Sequence, residues 1–434
     1  MAEKIKNAAI FLLSLSMIFL LVTTLKMAAG ESVDFFALFS GEVTDATAGP
    51  GGEGGSLLPG MCIFPSQIAI VGSGGVYSPL GNEAYEDALA AILGIYSEAL
   101  GSSGKPDSIT EKEYIGLLGG PAIYLQFDVA LPFYLHHAWA ELEASAVETR
   151  VESIVVCGRG DFVEIAFSAG QEGYFALSTA SSSAKLRELC GLQLEPNCAF
   201  AFSLPSNGGL KADQLVYSGV LRLQRYALES PYYVGASELP FAVLEAFSMR
   251  PNLARFFISG TGAMEYVEGD GVLRSGLAGE LSYTAPPRAA AESGLAPGST
   301  GEGIAMCETA RRMVDSVWKA TGSTGRLSLS LFEYDEAKDA YYIGFDMQLG
   351  GLYVARPLRA AHVTIEGGAV TSVSVRPVSA RGEDTLMIAY SRYIAAASGL
   401  EEGRAAIVYS VGDDGMLSPA VSVVREESDG LEAG

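Results

Sequence analysis

Leu327–Met347 reads LSLSLFEYDEAKDAYYIGFDM. Leu327, Leu329 and Leu331 alternate with Ser328 and Ser330, and Tyr341, Ile343, Phe345 and Met347 alternate again beyond an acidic turn. A period of two puts each set of side chains on its own face of a strand, so the pattern predicts an antiparallel hairpin with one apolar face and one solvated serine face. Upstream, Ala310, Met313, Val314, Val317 and Trp318 fall on one face of a helix that Gly322 stops, and Ser299 and Glu302 have capping-box spacing at its start. Downstream, Ala361–Ile365 and Val370–Val375 continue the alternation across Gly350-Gly351 and Gly367-Gly368. One helix followed by four antiparallel strands is expected, the helix's apolar stripe covering the sheet's apolar face. A further helix over Thr385–Ala397 and two strands, Ala405–Tyr409 and Ala420–Val424, complete the carboxy-terminal part.

Working back along the chain, Met264–Tyr283 carries turn signals at Gly269–Gly271 and Gly276–Gly279, and Pro240–Phe247 reads as a helix. Thr284–Gly303, with its proline pair and small residues, marks a boundary. Strands are expected at Ile68–Gly72, Ile123–Leu131, Ser153–Val156, Phe162–Phe167, Tyr174–Ser178 and Gln214–Tyr217. Helices are expected after Asn82, from Leu135 through Trp139 and Leu142, and over Ala184–Cys190. The fold class is α+β, in three folded regions over 61–198, 199–290 and 291–434.

Ahead of these lies Ala8–Leu25, AAIFLLSLSMIFLLVTTL, 18 residues without a charge between Lys6 and Lys26. A hydrocarbon core of ~30 Å takes about 20 apolar residues in a helix, so this stretch is long enough to span with snorkelling lysines. Lys4 and Lys6 on one side, against Glu31, Asp34, Glu42, Asp45 and Glu53 on the other, put the amino terminus in the cytoplasm and the bulk outside. The rival reading is a secretory signal cleaved near Ala28-Ala29-Gly30; the long apolar core and Lys26 speak against it. Residues 1–30 are therefore read as a cytoplasmic tail and anchor, and residues 31–60, Gly-rich over Thr44–Gly60, as a tether.

A formal net charge of -23, from 51 acidic and 28 basic residues, excludes counterion-driven binding of nucleic acid. The cysteines, Cys62, Cys157, Cys190, Cys198 and Cys307, are odd in number; Cys190 and Cys198 flank a short loop where a local bridge is one alternative to buried thiols. With no CxxC and only His136, His137 and His362, a zinc site is poorly supported, and no cofactor is expected. Ser182 with Lys185, and Ser316 with Lys319, satisfy SxxK, but neither has the KTG or SDN partner that acyl-transfer chemistry needs. His136 and His137 read as structural rather than pH-sensing, and His362 as solvated. No enzyme is indicated.

The anchor, LQFDVALPFYL at Leu125–Leu135, YVEGDGVLRSGLAGELSY at Tyr266–Tyr283, FDMQLGGLYVARP at Phe345–Pro357 and LSPAVSV at Leu417–Val423 together resemble the YycH/YycI family of two-component-system regulatory proteins of Gram-positive bacteria. The helix-plus-four-strand unit is similar to the PepSY-like units of such proteins. The resemblance implies a single-pass membrane protein whose extracytoplasmic domains are not enzymatic. It also implies contact with the membrane helices of the sensor histidine kinase that governs cell-wall metabolism, and with a second protein of the family. Within the anchor, Ala8, Ala9, Ser14, Ser16, Thr23 and Thr24 are the small and polar residues through which helices pack in lipid. The alternative is an extracellular module that binds a ligand or peptide and is merely tethered to the membrane.

Overall fold

The computed structural model describes residues 62–81, 85–138, 148–204, 210–230, 238–260, 262–286, 298–355, 359–389, 404–412 and 415–424. The expected anchor and tether, Asn82, Trp139 and Leu142 lie outside them. Among the described residues no helix is long and apolar enough to cross a membrane.

Antiparallel pairing organises the chain into three sheets, in agreement with the α+β reading. The first sheet takes its strands in the order β3-β7-β6-β5-β4-β1-β2-β8-β9. They are β1 (Gln67–Gly72), β2 (Gly75–Tyr77), β3 (Asp107–Ile109), β4 (Ala122–Pro132), β5 (Arg150–Arg159), β6 (Phe162–Ser168), β7 (Tyr174–Ser182), β8 (Cys198–Phe200) and β9 (Leu215–Tyr217). Four helices accompany it: α1 (Tyr85–Leu100), α2 (Glu111–Leu117), α3 (Phe133–Ala138) and α4 (Ala184–Cys190). Leu89, Ile92, Leu93, Tyr96 and Leu100 form the buried stripe of α1, the spacing that a helix needs to cover a sheet. The α2 helix opens on a capping box that pattern reading passed over: Thr110 Oγ1 accepts from Glu113 N at 3.2 Å, and Glu113 Oε2 accepts from Thr110 N at 2.8 Å.

The third sheet, β11-β12-β13-β14-β19-β18-β16-β15, contains the expected hairpins. Its strands are β11 (Arg255–Ile258), β12 (Met264–Glu268), β13 (Gly271–Ser275), β14 (Leu281–Thr284), β15 (Arg326–Asp335), β16 (Ala340–Leu349), β18 (Ala361–Glu366) and β19 (Ala369–Val375), with the short β17 (Leu352–Tyr353) added to β16. Its helices are α5 (Phe241–Ala246) and α6 (Thr300–Ala320), and α6 lies against β16, β18 and β19 as the apolar stripe requires. Because β14 pairs with β19, the sheet runs on across residue 290. At the start of α6, Ser299 Oγ accepts from Glu302 N at 3.3 Å, while the Glu302 carboxylate turns to Gly298 N at 2.7 Å and to the Tyr341 hydroxyl at 2.8 Å.

The second sheet, β20-β10-β22-β21, joins β10 (Val220–Glu229) to β20 (Ser379–Ala389), β21 (Arg404–Val411) and β22 (Met416–Val424). Here the structure corrects the sequence reading. Thr385–Ala389 closes β20 rather than opening a helix, because Leu386 and Ile388 sit opposite Leu223 and Leu221 of β10 and tertiary pairing overrides local periodicity. The remainder of the expected helix lies outside the described residues.

A second correction concerns the serine face of β15. Ser328 and Ser330, expected to be wet, are 0% and 2% exposed. The segment Cys62–Ser66 covers this edge: Leu329 N donates to Cys62 O at 2.6 Å, Phe64 N to Ser328 Oγ at 3.2 Å and Tyr353 OH to Phe64 O at 2.9 Å. Arg326 stacks its guanidinium 4.5 Å from the Phe64 ring centroid and pairs with Glu86 of α1. Nearby, Gly351 (φ +85°) sits so close to Tyr85 that any side chain there would overlap the tyrosine ring. The second sheet joins the same junction through Ala355 N, which donates to Tyr409 O at 2.6 Å. One continuous apolar core runs through all three sheets.

Candidate ligand cleft

The short link from β19 to β20, Arg376–Val378, carries the chain from the third sheet to the second. It is pinned at both ends: Arg376 N donates to Ala360 O at 2.8 Å, and Val378 N to Ser323 Oγ at 3.2 Å. Thr324 N returns a bond to Val378 O at 2.8 Å, and Trp318, at the end of α6, donates Nε1–H to Gly325 O at 3.3 Å. These bonds fix the link against the third sheet and the end of α6, and beside it lies a cleft of about 320 Å³ between the second and third sheets.

Its walls come from six separated segments. The third sheet supplies Met347 and Ala360, α6 supplies Trp318, and the link supplies Pro377 and Val378. Leu228 closes it from the second sheet, and Ala278 and Gly279 from the turn between β13 and β14. Three charged residues share the lining, Glu229, Glu280 and Arg376. The Glu280 carboxylate is held in the turn by Ala278 N, which donates to it at 3.1 Å. Apolar walls with a few charged groups are the usual makeup of a small-ligand site, and a junction between two sheets is a usual place for one.

The residues singled out from sequence do not converge here. Ala8, Ala9, Ser14, Ser16, Thr23 and Thr24 lie outside the described residues. Ser182 is exposed, and Lys185 extends away to Glu98 at 2.8 Å, so this SxxK pair builds no nucleophile and base. Ser316 and Lys319 are exposed on the outer face of α6. His136 is buried, its ring 4.9 Å from that of Phe127 and 6.2 Å from that of Phe133. His362, expected to be solvated, is half-buried beside Tyr342, and burial together with the Arg359 charge holds its imidazole below the ordinary value. Among the described residues no group of three or more His, Cys, Asp or Glu is placed to hold a metal ion.

All five cysteines are free and buried, so Cys190 and Cys198 do not bridge. Burial pushes the Cys157 and Cys190 thiols up to about 12, which disfavours the nucleophilic thiolate. Cys62 is raised as well, through a hydrogen bond with Cys307 of α6 and through burial. Sequence reading had Trp318 and Met347 as core residues of a helix and a strand. Their second role, facing a cleft, follows only from how the two sheets meet.

No protein-family model matches the chain, and no curated protein matches it in sequence. Among solved structures it is similar to YycH from Bacillus subtilis, with a TM-score of 0.53 and 14% identity over 86% of this chain and 98% of that chain. At that identity the likeness is one of fold. An uncharacterized protein from Eubacterium rectale overlaps 48% of this chain and 77% of its own at 9% identity, with a TM-score of 0.25 that carries no argument.

Proposed function

We propose that this protein is a non-enzymatic, membrane-anchored regulator, its bulk outside the cytoplasmic membrane, that modulates the sensor histidine kinase of a two-component system. The observation that carries the reading is the shared fold with YycH across nearly the whole of that chain. Contact with the kinase runs through Ala8–Leu25, where small and polar residues let helix backbones approach closely in lipid. Exchanging this stretch for an unrelated apolar helix of equal length, and reading transcription from the kinase's target promoters, tests the proposal. Regulation is expected to be lost while circular dichroism of the purified chain stays unchanged. Unaltered promoter output would refute contact through the helix.

A second reading, a binding module tethered to the membrane, is favoured by the cleft of about 320 Å³ between the second and third sheets. The two readings meet if an occupant of the cleft sets the angle between the sheets and so what the protein presents to its partner.

A further inference from the structure

We infer that Cys62 and Cys307 form a cystine site, the two thiols closing into a disulfide that staples the segment Cys62–Ser66 to α6. Position singles out this pair among the five cysteines. The Cys62 thiol is hydrogen-bonded with that of Cys307, and both side chains are buried. The other three are engaged elsewhere: Cys190 Sγ donates to Ala122 O at 3.7 Å, Cys198 Sγ donates to Val76 O at 3.5 Å, and Cys157 lies near the charges of Glu164 and Arg159. Both members of the pair are held by their backbones. Leu329 N donates to Cys62 O at 2.6 Å, and Cys307 stands inside α6, one turn before Arg311 and two before Asp315. Cys62 senses the charges of both, so it faces the stripe of α6 that carries its partner. Arg311 is itself fixed there by Glu308 and Asp315, each at 2.6 Å.

The bond forms by exchange with a disulfide donor. One cysteine thiolate attacks a donor sulfur, giving a mixed disulfide and releasing the first donor thiolate. The second cysteine thiolate attacks the protein sulfur of the mixed disulfide and expels the other donor thiolate. Two protein thiols are oxidised, one donor disulfide is reduced to two thiols, and the leaving thiolates take up the two protons that the cysteines lost. The hydrogen bond to Cys307 and burial hold the Cys62 thiol above its ordinary value, so exchange belongs to the chain before the segment has seated. In the cell the staple rests on the reading that the bulk lies outside the cytoplasmic membrane, where such donors persist. The loop it closes takes in more than half of the chain, and a long loop is where a disulfide most restricts the unfolded state. Cys62 also follows the Gly-rich Thr44–Gly60, so tension arriving from the anchor would reach α6 through a covalent bond rather than through the hydrogen bonds of Cys62–Ser66 alone.

The test unfolds the full chain in guanidinium and refolds it into mixed lipid–detergent micelles in a buffer of reduced and oxidised glutathione, until its far-ultraviolet circular dichroism matches that of the chain never unfolded. Thiols are then trapped with acid, alkylated and mapped by mass spectrometry of unreduced peptides. Free thiols are expected to fall from five to three, with the peptides of Cys62 and Cys307 linked. The denaturation midpoint is expected to rise above that of the same chain kept in dithiothreitol. That rise should vanish in Cys62→Ala and in Cys307→Ala and survive in Cys157→Ser. Five free thiols, or a link between any other two cysteines, would overturn the staple. Acid trapping of the chain in the membranes of producing cells separates the two readings. A pair linked on refolding but open in cells would overturn the outside location and leave the cystine site standing.

Discussion

The phenol of Tyr353 is bonded twice, to Phe64 O at 2.9 Å and to the Ser328 hydroxyl at 2.6 Å, in a place that water does not reach. Tyr353→Phe keeps the ring but takes the donor from Phe64 O and leaves the Ser328 hydroxyl with only the Phe64 N–H, and is expected to cost about 1–3 kcal/mol in chemical denaturation. Alternation marked the faces of β15 only as far as Leu329: a bulge between Leu329 and Leu331 sets Leu331 opposite Gly344 and puts Phe332, opposite Ile343, in its place on the apolar face. It could not show that a segment some 260 residues upstream closes the serine face, since a strand's period identifies faces and not their neighbours. His362 carries a prediction of its own. Burial, with the Arg359 charge, lowers its folded value, so between that value and ~6.5 the unfolded chain binds the additional proton. Its contribution is fully present above ~6.5 and is lost as pH falls through the lowered value. His362→Asn should flatten the stability profile in that window, as followed by thermal unfolding at a series of pH values; an unchanged slope would show that another group governs it.

At the scale of elements, the sequence was most legible where a helix or strand carried its own punctuation. The Ser299 cap, the stop at Gly322 (φ +66°) and the turns at Gly269 and Gly279 all stand where the residues put them. Where the partner strand lies far away, the signal failed. The last residues of β20 were read as the start of a helix because the β10 side chains that hold them as a strand are not their sequence neighbours. A strand that was not anticipated, β11, is the free edge of the third sheet, with Phe257 50% and Ile258 69% exposed. An apolar edge of this kind is an aggregation site unless it is very short or charged, and β11 has four residues with Arg255 at one end. Ile258→Lys is expected to change stability by no more than about 0.5 kcal/mol while raising the concentration at which light scattering appears. A scattering threshold that does not move would show that aggregation starts elsewhere.

For the whole molecule, the three sheets meet at one junction around Tyr353–Ala355, and Gly351 is its tightest point. Gly351→Ala forces a side chain into the Tyr85 ring at a backbone angle that L residues resist, so it is expected to lose about 1–3 kcal/mol. If the junction couples the sheets, Trp318 fluorescence and far-ultraviolet circular dichroism, coincident in the parent, should separate in this variant; coincidence in both would mean that the coupling lies elsewhere. The helix-plus-four-strand unit was readable in advance because its contacts are local. The cleft was not, because its walls are gathered from six segments that share no pattern. The second sheet has a further consequence, in time rather than space. Arg225 on β10 meets Asp384 across 159 residues of chain and Ser418 across 193. At a synthesis rate of about 5–20 residues per second, β10 waits on the order of ten seconds or more for its first partner strand to be made. A chain ending early would leave that strand bare, so a chaperone that shields nascent strands should favour this protein's folding, and a late stop codon should damage it well beyond the residues removed.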